Sequence, residues 1–316
     1  MSKTALWHGV YPALLTPFKA NGDIDYDMFQ KNLNAQVEAG VSGVILAGTL
    51  GEASTLTAQE KFDLLVFAKK NVPAHIPVLL NIAEQATAVA VEIAKKAESI
   101  GADGLMLLPP MRYKASDKEV VTYFQAVASA SSLPILIYNN PVDYAIHVTL
   151  DMFAELEAYP TIQAVKESTR DLTNITRMIN RFGDRFKILG GVDTISLESQ
   201  LMGASGSVAG LVDAFPRETV AIFNLAKAGY LEEALKIYRW FMPLLELDIH
   251  PKLVQYIKLA AVAEGIGNEH VRAPRLPLEG EERARIQKII DTAIASRPEL
   301  PDYLALETIS KEAVLA

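Results

Sequence analysis

The sequence predicts an α/β fold, a (β/α)8 barrel followed by a C-terminal helical extension, and three observations predict it. Eight short aliphatic runs are bounded by Gly and Pro. Most begin roughly 25 to 35 residues after the previous one, the length of a strand, a helix and their loops. Beyond residue 220 the chain keeps helical periodicity and has no further strand run.

In chain order the runs are GVYPALLTPF (9–18), GVILAG (43–48), IPVLLNI (76–82), GLMLLPP (104–110), PILIYNN (134–140), IQAVKES (162–168), KILGGVD (187–193) and GSVAGLV (206–212). They are nearly continuous in apolar character, as parallel strands buried on both faces must be, and this excludes a one-sided antiparallel sheet. Amphipathic segments separate them, for example TAQEKFDLLVFAKKNV (57–72) and TAVAVEIAKKAESIGA (87–102), the second with a helix stop at Gly101. A doubly wound open sheet is the competing architecture, but no GxGxxG follows the first strand. The helical segments 223–247, 251–265 and 280–296 form the extension. The chain therefore divides into a barrel over 1–225 and an extension over 226–316, ending in a peripheral tail that begins PELP at 298.

Composition narrows the function. With a net charge of -8 and no clustered Lys or Arg, phosphate-backbone binding is not expected, so no nucleic acid. Cys is absent, which removes disulfides, thiolate metal sites and a cysteine nucleophile and fits a reducing compartment; cytoplasm is the expected location. No run approaches the roughly 20 apolar residues that span a bilayer, and the N-terminus MSKTALWHGV lacks a signal-length apolar stretch, so no membrane is expected. The five histidines are scattered without metal-ligand spacing, so no metal is expected.

In such a barrel the C-terminal strand ends face the active site. Polar residues gather there: GTLGE (48–52) after strand two, YNNP (138–141) after strand five, KEST (166–169) ending strand six and GGVD (190–193) after strand seven. Lys166 follows Ala164 and Val165 in a strand with apolar surroundings, so its amine is paired, uncharged or reaching for water. A neutral amine attacks carbonyls and forms a Schiff base; an ion pair with Glu167 or another acid is the structural alternative. Tyr138 can relay protons or be a satisfied core tyrosine. Thr49 can hydrogen-bond that phenol, and the GTLGE turn offers backbone N–H groups to a carboxylate, although it also reads as a helix entry. Glu52 braces the turn.

Together these motifs closely resemble the dihydrodipicolinate synthase/N-acetylneuraminate lyase family of class I, Schiff-base-forming lyases, over about residues 7–295. In that family a Thr-Gly-Glu turn follows strand two, Tyr-Asn-x-Pro follows strand five and the Schiff-base lysine ends strand six. The matching positions are Gly48, Thr49, Gly51 and Glu52, then Tyr138, Asn139 and Pro141, then Lys166, with 89 residues from Thr49 to Tyr138 and 28 from there to Lys166. The resemblance implies that Lys166 attacks a 2-keto group, Tyr138 shuttles protons, Thr49 and neighbouring amides hold the carboxylate, and Gly190, Gly191 and Val208 line the pocket. It also implies no cofactor, because the imine nitrogen is the electron sink, and a homo-oligomer, tetramer or dimer.

Three positions depart from the members that make dihydrodipicolinate. Asp143 stands where they carry an arginine for the aldehyde substrate's carboxylate, and Leu50 replaces a second threonine. Their relay tyrosine after strand four falls on Arg112, with Tyr113 beside it. Arg112 is left to meet a substrate oxyanion, to stand in solvent or to lie at a subunit interface. Asp143 would repel a second carboxylate. The substrate-binding set is therefore Gly48, Leu50, Gly51, Arg112, Tyr113, Asn140, Asp143, Gly190, Gly191 and Val208. The expected function is a catabolic lyase, a dehydratase, deaminase or aldolase, acting on a 2-oxo acid or cyclic imino acid. Its substrates are deoxy sugar acids or a hydroxypyrroline carboxylate. The alternatives are 4-hydroxy-tetrahydrodipicolinate synthase and a non-catalytic 2-oxo-acid-binding regulator.

Overall fold

The computed structural model describes residues 7–306. Its centre is a ring of eight parallel strands: β1 (Gly9–Pro12), β2 (Val44–Leu46), β3 (Val78–Ile82), β4 (Gly104–Leu107), β5 (Ile135–Asn139), β6 (Ile162–Glu167), β7 (Lys187–Gly190) and β8 (Gly206–Ala209). Each strand lies within one of the eight apolar runs. The sheet order is β1-β8-β7-β6-β5-β4-β3-β2, all pairs parallel. The seam between β1 and β2 closes through a single bridge at Ala13 and Ile45, with hydrogen bonds from Leu14 N to Ile45 O (2.9 Å) and from Ser42 N to Val10 O (2.8 Å). The runs are longer than the strands because their last residues turn out into the loops over the mouth.

Strand alternation sorts the side chains into two cores. Tyr11, Ile45, Leu79, Met106, Leu136, Ala164, Leu189 and Val208 fill the barrel interior. Their neighbours Val10, Val44, Leu80, Leu105, Ile137 and Val165 pack outward against the helices. A period of two puts Lys166 on the same side as Ala164, so its side chain enters the top of the interior.

The helices are α1 (Tyr26–Glu38), α2 (Ala58–Asn71), α3 (Thr87–Ser99), α4 (Asp117–Ala130), α5 (Pro141–Tyr144), α6 (Leu150–Leu156), α7 (Thr173–Phe182), α8 (Ser196–Leu201), α9 (Pro216–Ala228), α10 (Leu231–Leu245), α11 (Leu253–Ala263) and α12 (Gly280–Ala295). Reciprocal capping boxes start α2 (Thr57 with Glu60) and α4 (Ser116 with Glu119), satisfying backbone donors that the helix itself cannot. The short α5 has Pro141 in its first turn and Asn140 as its cap.

Residue 225 falls in the last turn of α9, and α10 to α12 form the extension. The Tyr238 hydroxyl of α10 bonds Thr194 O (2.6 Å) and Glu198 Oε2 (2.8 Å), tying the extension to the loop after β7 and to α8. From 298 onward the chain lays Tyr303, itself buried, against the barrel's helices, and Asn224 Nδ2 donates to Tyr303 O at 3.1 Å. The rest of the expected tail, 307–316, lies outside the described residues.

Candidate functional site

Lys166, the penultimate residue of β6, lies under the barrel mouth and is 7% exposed. Its Nζ stands 4.1 Å from the centre of the Tyr138 ring. Among the described residues it forms no ion pair. Glu167, the structural alternative, points the other way and is occupied by Thr169 N (2.8 Å), Asn174 Nδ2 (2.8 Å) and Asn139 Nδ2 (3.4 Å). Burial pushes the Lys166 amine below the usual lysine range, against the opposing pull of Asp248, Tyr144, Asp193 and Asp143. Gly191 makes room for it: a Cβ there would lie 2.6 Å from Lys166 Cγ and 2.8 Å from Cε.

Tyr138 is pushed up to about 12 by burial, so its phenol is a protonated donor at neutral pH. Its hydroxyl accepts from Asn140 Nδ2 at 3.1 Å. Thr49 does not reach it. Thr49 Oγ1 instead shares a short hydrogen bond with the hydroxyl of Tyr144, whose ring meets that of Tyr138 edge-on with centroids 5.6 Å apart. Tyr144 was not among the residues singled out from sequence. The α5 turn delivers it over the mouth, where burial also raises its hydroxyl.

The β2 turn is braced from behind. Glu52 adopts φ 56° and is fully buried. Its carboxylate meets Lys258 Nζ at 2.6 Å and Arg275 at 3.6 Å and accepts from Arg272 N at 3.2 Å. It thus fixes the turn that presents Thr49 and Leu50.

One cavity collects these groups. Lys166, Tyr138, Thr49, Leu50, Asn140, Asp143, Gly191 and Val208 all line it, together with Tyr144, Ser168, Arg170 and Asp248, which the sequence reading passed over. Gly48, Gly51 and Gly190 stand behind the wall: Gly48 O and Gly51 O accept from Ala53 N and Thr16 Oγ1, and Gly190 packs on Ser199. Arg112 and Tyr113 are apart from the cavity. After β4 the chain runs outward, so Met106 represents that strand in the wall, Arg112 N donates to Gln85 Oε1 (2.6 Å), and Tyr113 is 57% exposed.

Asp193 lies behind the cavity, holding Gly210 N (3.1 Å) and Leu211 N (2.8 Å). Asp248 comes from the segment joining α10 to α11. Burial lifts both carboxyls above the usual range, and for Asp248 the charge of Asp193 adds to it. Among the described residues no cluster of His, Cys, Asp or Glu is arranged to hold a metal ion. None of their helices is long and apolar enough to cross a membrane.

A parallel (β/α)8 barrel with a desolvated lysine at its mouth is the architecture of a class I lyase, an enzyme that works through a lysine Schiff base. The chain belongs to the dihydrodipicolinate synthetase family, whose model matches residues 6–293. It is 32% identical over 286 residues to a 4-hydroxy-tetrahydrodipicolinate synthase of Leptospira biflexa, covering 90% of this chain and 97% of that one. It is 31% identical over 290 residues to the enzyme of the same name from Exiguobacterium sibiricum, covering 91% and 97%. Among solved structures, a dihydrodipicolinate synthase from Bacillus anthracis superposes with TM-score 0.88 at 27% identity, covering 94% of this chain and all of that one.

Proposed function

We propose that Lys166 forms a Schiff base with the keto carbon of a 2-oxo acid, pyruvate being the simplest, and carries it to an enamine. The observation that carries this reading is a buried lysine amine, without an ion pair among the described residues, 4.1 Å from the centre of the Tyr138 ring. The amine adds to C2, and the carbinolamine hydroxyl leaves as water with a proton relayed through Tyr138 and Tyr144. The β2 turn at Thr49 and Leu50 receives the carboxylate. The protonated imine then draws the C3–H bonding pair into a C2–C3 double bond, the C3 proton passing to the tyrosine relay, and C3 of the resulting enamine is nucleophilic.

For the enamine's partner, the names of the relatives support condensation with an aldehyde, as in 4-hydroxy-tetrahydrodipicolinate synthase. They support it over the catabolic reading placed first in the sequence analysis. A second reading, release of water or an amine from the substrate, is favoured by one specific observation: Asp143 lines the cavity, and it does not welcome an aldehyde that carries a second carboxylate.

The test is borohydride reduction with pyruvate followed by peptide mass mapping. A reduced adduct on Lys166 is expected, and a folded sample that gives none overturns the proposal. Product analysis then separates the two readings. Condensation consumes pyruvate together with a carboxylate-bearing aldehyde, whereas elimination yields water or ammonia from a deoxy sugar acid or a hydroxypyrroline carboxylate.

A further inference from the structure

Asp248 has no task in the steps above. It belongs to the joint between α10 and α11, outside the barrel's own repeats, yet it lines the cavity with Lys166, Asp143 and Arg170. It enters where the end of β8 has no side chain: a Cβ on Gly210 would lie 2.2 Å from Asp248 Oδ1 and 3.1 Å from its Cγ. Its carboxyl makes no hydrogen bond or ion pair among the described residues. Asp193 and Asp213 do: Asp193 accepts from Gly210 N and Leu211 N, and Asp213 from Leu15 N. A half-buried carboxyl that lines a cavity and has no hydrogen-bond or ion-pair partner among the described residues is free to meet what the cavity binds.

The direction of the substrate follows from the proposed Schiff base, on which this inference rests. With the carboxylate at the β2 turn and C2 on Lys166, the wall left for the rest of the substrate includes Gly210, Asp248, Ile249 and Leu253. We propose that Asp248 is the acid–base residue for the oxygen on C4, the second carbon beyond the imine carbon.

In condensation, C3 of the enamine bonds to the aldehyde carbon, which becomes C4. The carbonyl π pair moves onto oxygen, the oxygen takes the proton of Asp248, and the nitrogen returns to iminium. In elimination the enamine pair forms the C3–C4 double bond, the C4–O bond breaks, and the oxygen leaves as water with that same proton. The carboxylate is the product in either case, and the enamine nitrogen supplies the electrons and becomes the iminium. Cleavage is the reverse of the first step, with the carboxylate as base. Burial and the neighbouring Asp193 charge favour the protonated form that donation requires.

The test compares wild type, Asp248→Asn, Asp248→Glu and Gly210→Ala. Each is treated with pyruvate alone, with both C4 epimers of a 2-keto-3-deoxy sugar acid, and with pyruvate plus glycolaldehyde. Borohydride is added at timed intervals and the Lys166 peptide is weighed. Pyruvate alone should still be trapped on Lys166 by all four, since its imine does not involve C4, although loss of the Asp248 carboxyl can shift the rate through its pull on the amine. With the sugar acids, wild type should yield an adduct lighter by one water or cut down to pyruvate. Asp248→Asn should accumulate the whole adduct, processing it slower by about 10²- to 10⁴-fold. Asp248→Glu should recover part of the rate. Gly210→Ala should resemble Asp248→Asn although the carboxyl is still present. The inference is overturned if Asp248→Asn processes these adducts or the aldehyde as fast as wild type, or if wild type changes none of them. If pyruvate itself leaves no adduct on wild type, the Schiff-base reading fails and takes this one with it.

Discussion

Lys166 reports its environment through its proton. A buried lysine with a lowered pKa binds fewer protons folded than unfolded, so its burial costs stability below the folded pKa. That cost disappears as pH rises towards the unfolded value near 10.4. The neutral, attacking form accumulates over the same interval. The rate of pyruvate trapping by borohydride should therefore rise with pH through a midpoint clearly below about 10.4, the value of a free lysine. A midpoint at the free-lysine value would show that the amine is not desolvated. Lys166 and Tyr138 were legible in the sequence because a polar residue at the end of an apolar strand has few explanations, and because their motifs occur together. The partner of Thr49 was not. Choosing Tyr144 over Tyr138 depends on where one turn of α5 points, and the spacing of YNNPVDY does not encode that direction. Asp248 was hidden for a different reason: it sits in a stretch that reads simply as a break between helices.

Among the elements, the turn after β2 depends most on distant support. It carries Thr49 and Leu50, and its anchor Glu52 pairs with Lys258 of α11 at side-chain exposures of 0% and 1%. Removing Lys258 leaves the buried Glu52 carboxylate with only the more distant Arg275 and the Arg272 N–H as partners. Lys258→Ala should cost about 3 to 5 kcal/mol of unfolding free energy, measured by urea denaturation. A loss below ~1 kcal/mol, the size of an exposed pair, would show that the pair contributes little. The eight strands were readable because burial on both faces demands continuous apolar runs. The pair of short helices α5 and α6 between β5 and β6 was not, since four and seven residues carry too little periodicity to register. The bracing role expected of Glu52 agrees with its contacts, but its partner on α11 is more than 200 residues away and no local pattern points to it.

At the scale of the whole molecule, the extension does more than cover the barrel. Through Tyr238 it holds the loop after β7, through Lys258 the turn after β2, and its α10–α11 joint forms part of the cavity wall. The last described segment continues this pattern, with Tyr303 buried and Arg297 ion-paired to Glu218 (3.5 Å) and to Glu264. Truncation after Ser296 is expected to lower the melting temperature by at least ~2 °C, the scale of a loss of 1 kcal/mol in a domain of this size. Circular dichroism would follow it, with the barrel's secondary structure retained at room temperature. An unchanged melting curve would show that this segment adds no stability. The helical character of the extension was plain from its periodicity, but its attachment points depend on single side chains meeting across the fold.

The closure of the ring has a mechanical consequence. Seven of its eight junctions are ladders, while the β1–β2 seam is one bridge flanked by two hydrogen bonds. A hoop under thermal load yields at its weakest joint, and this joint lies beside the turn that carries Thr49. The rest of the circumference can stay rigid and keep the lysine in register, while compliance is concentrated on the side where a carboxylate would arrive. Stiffness and give are thus assigned to opposite arcs of one hoop.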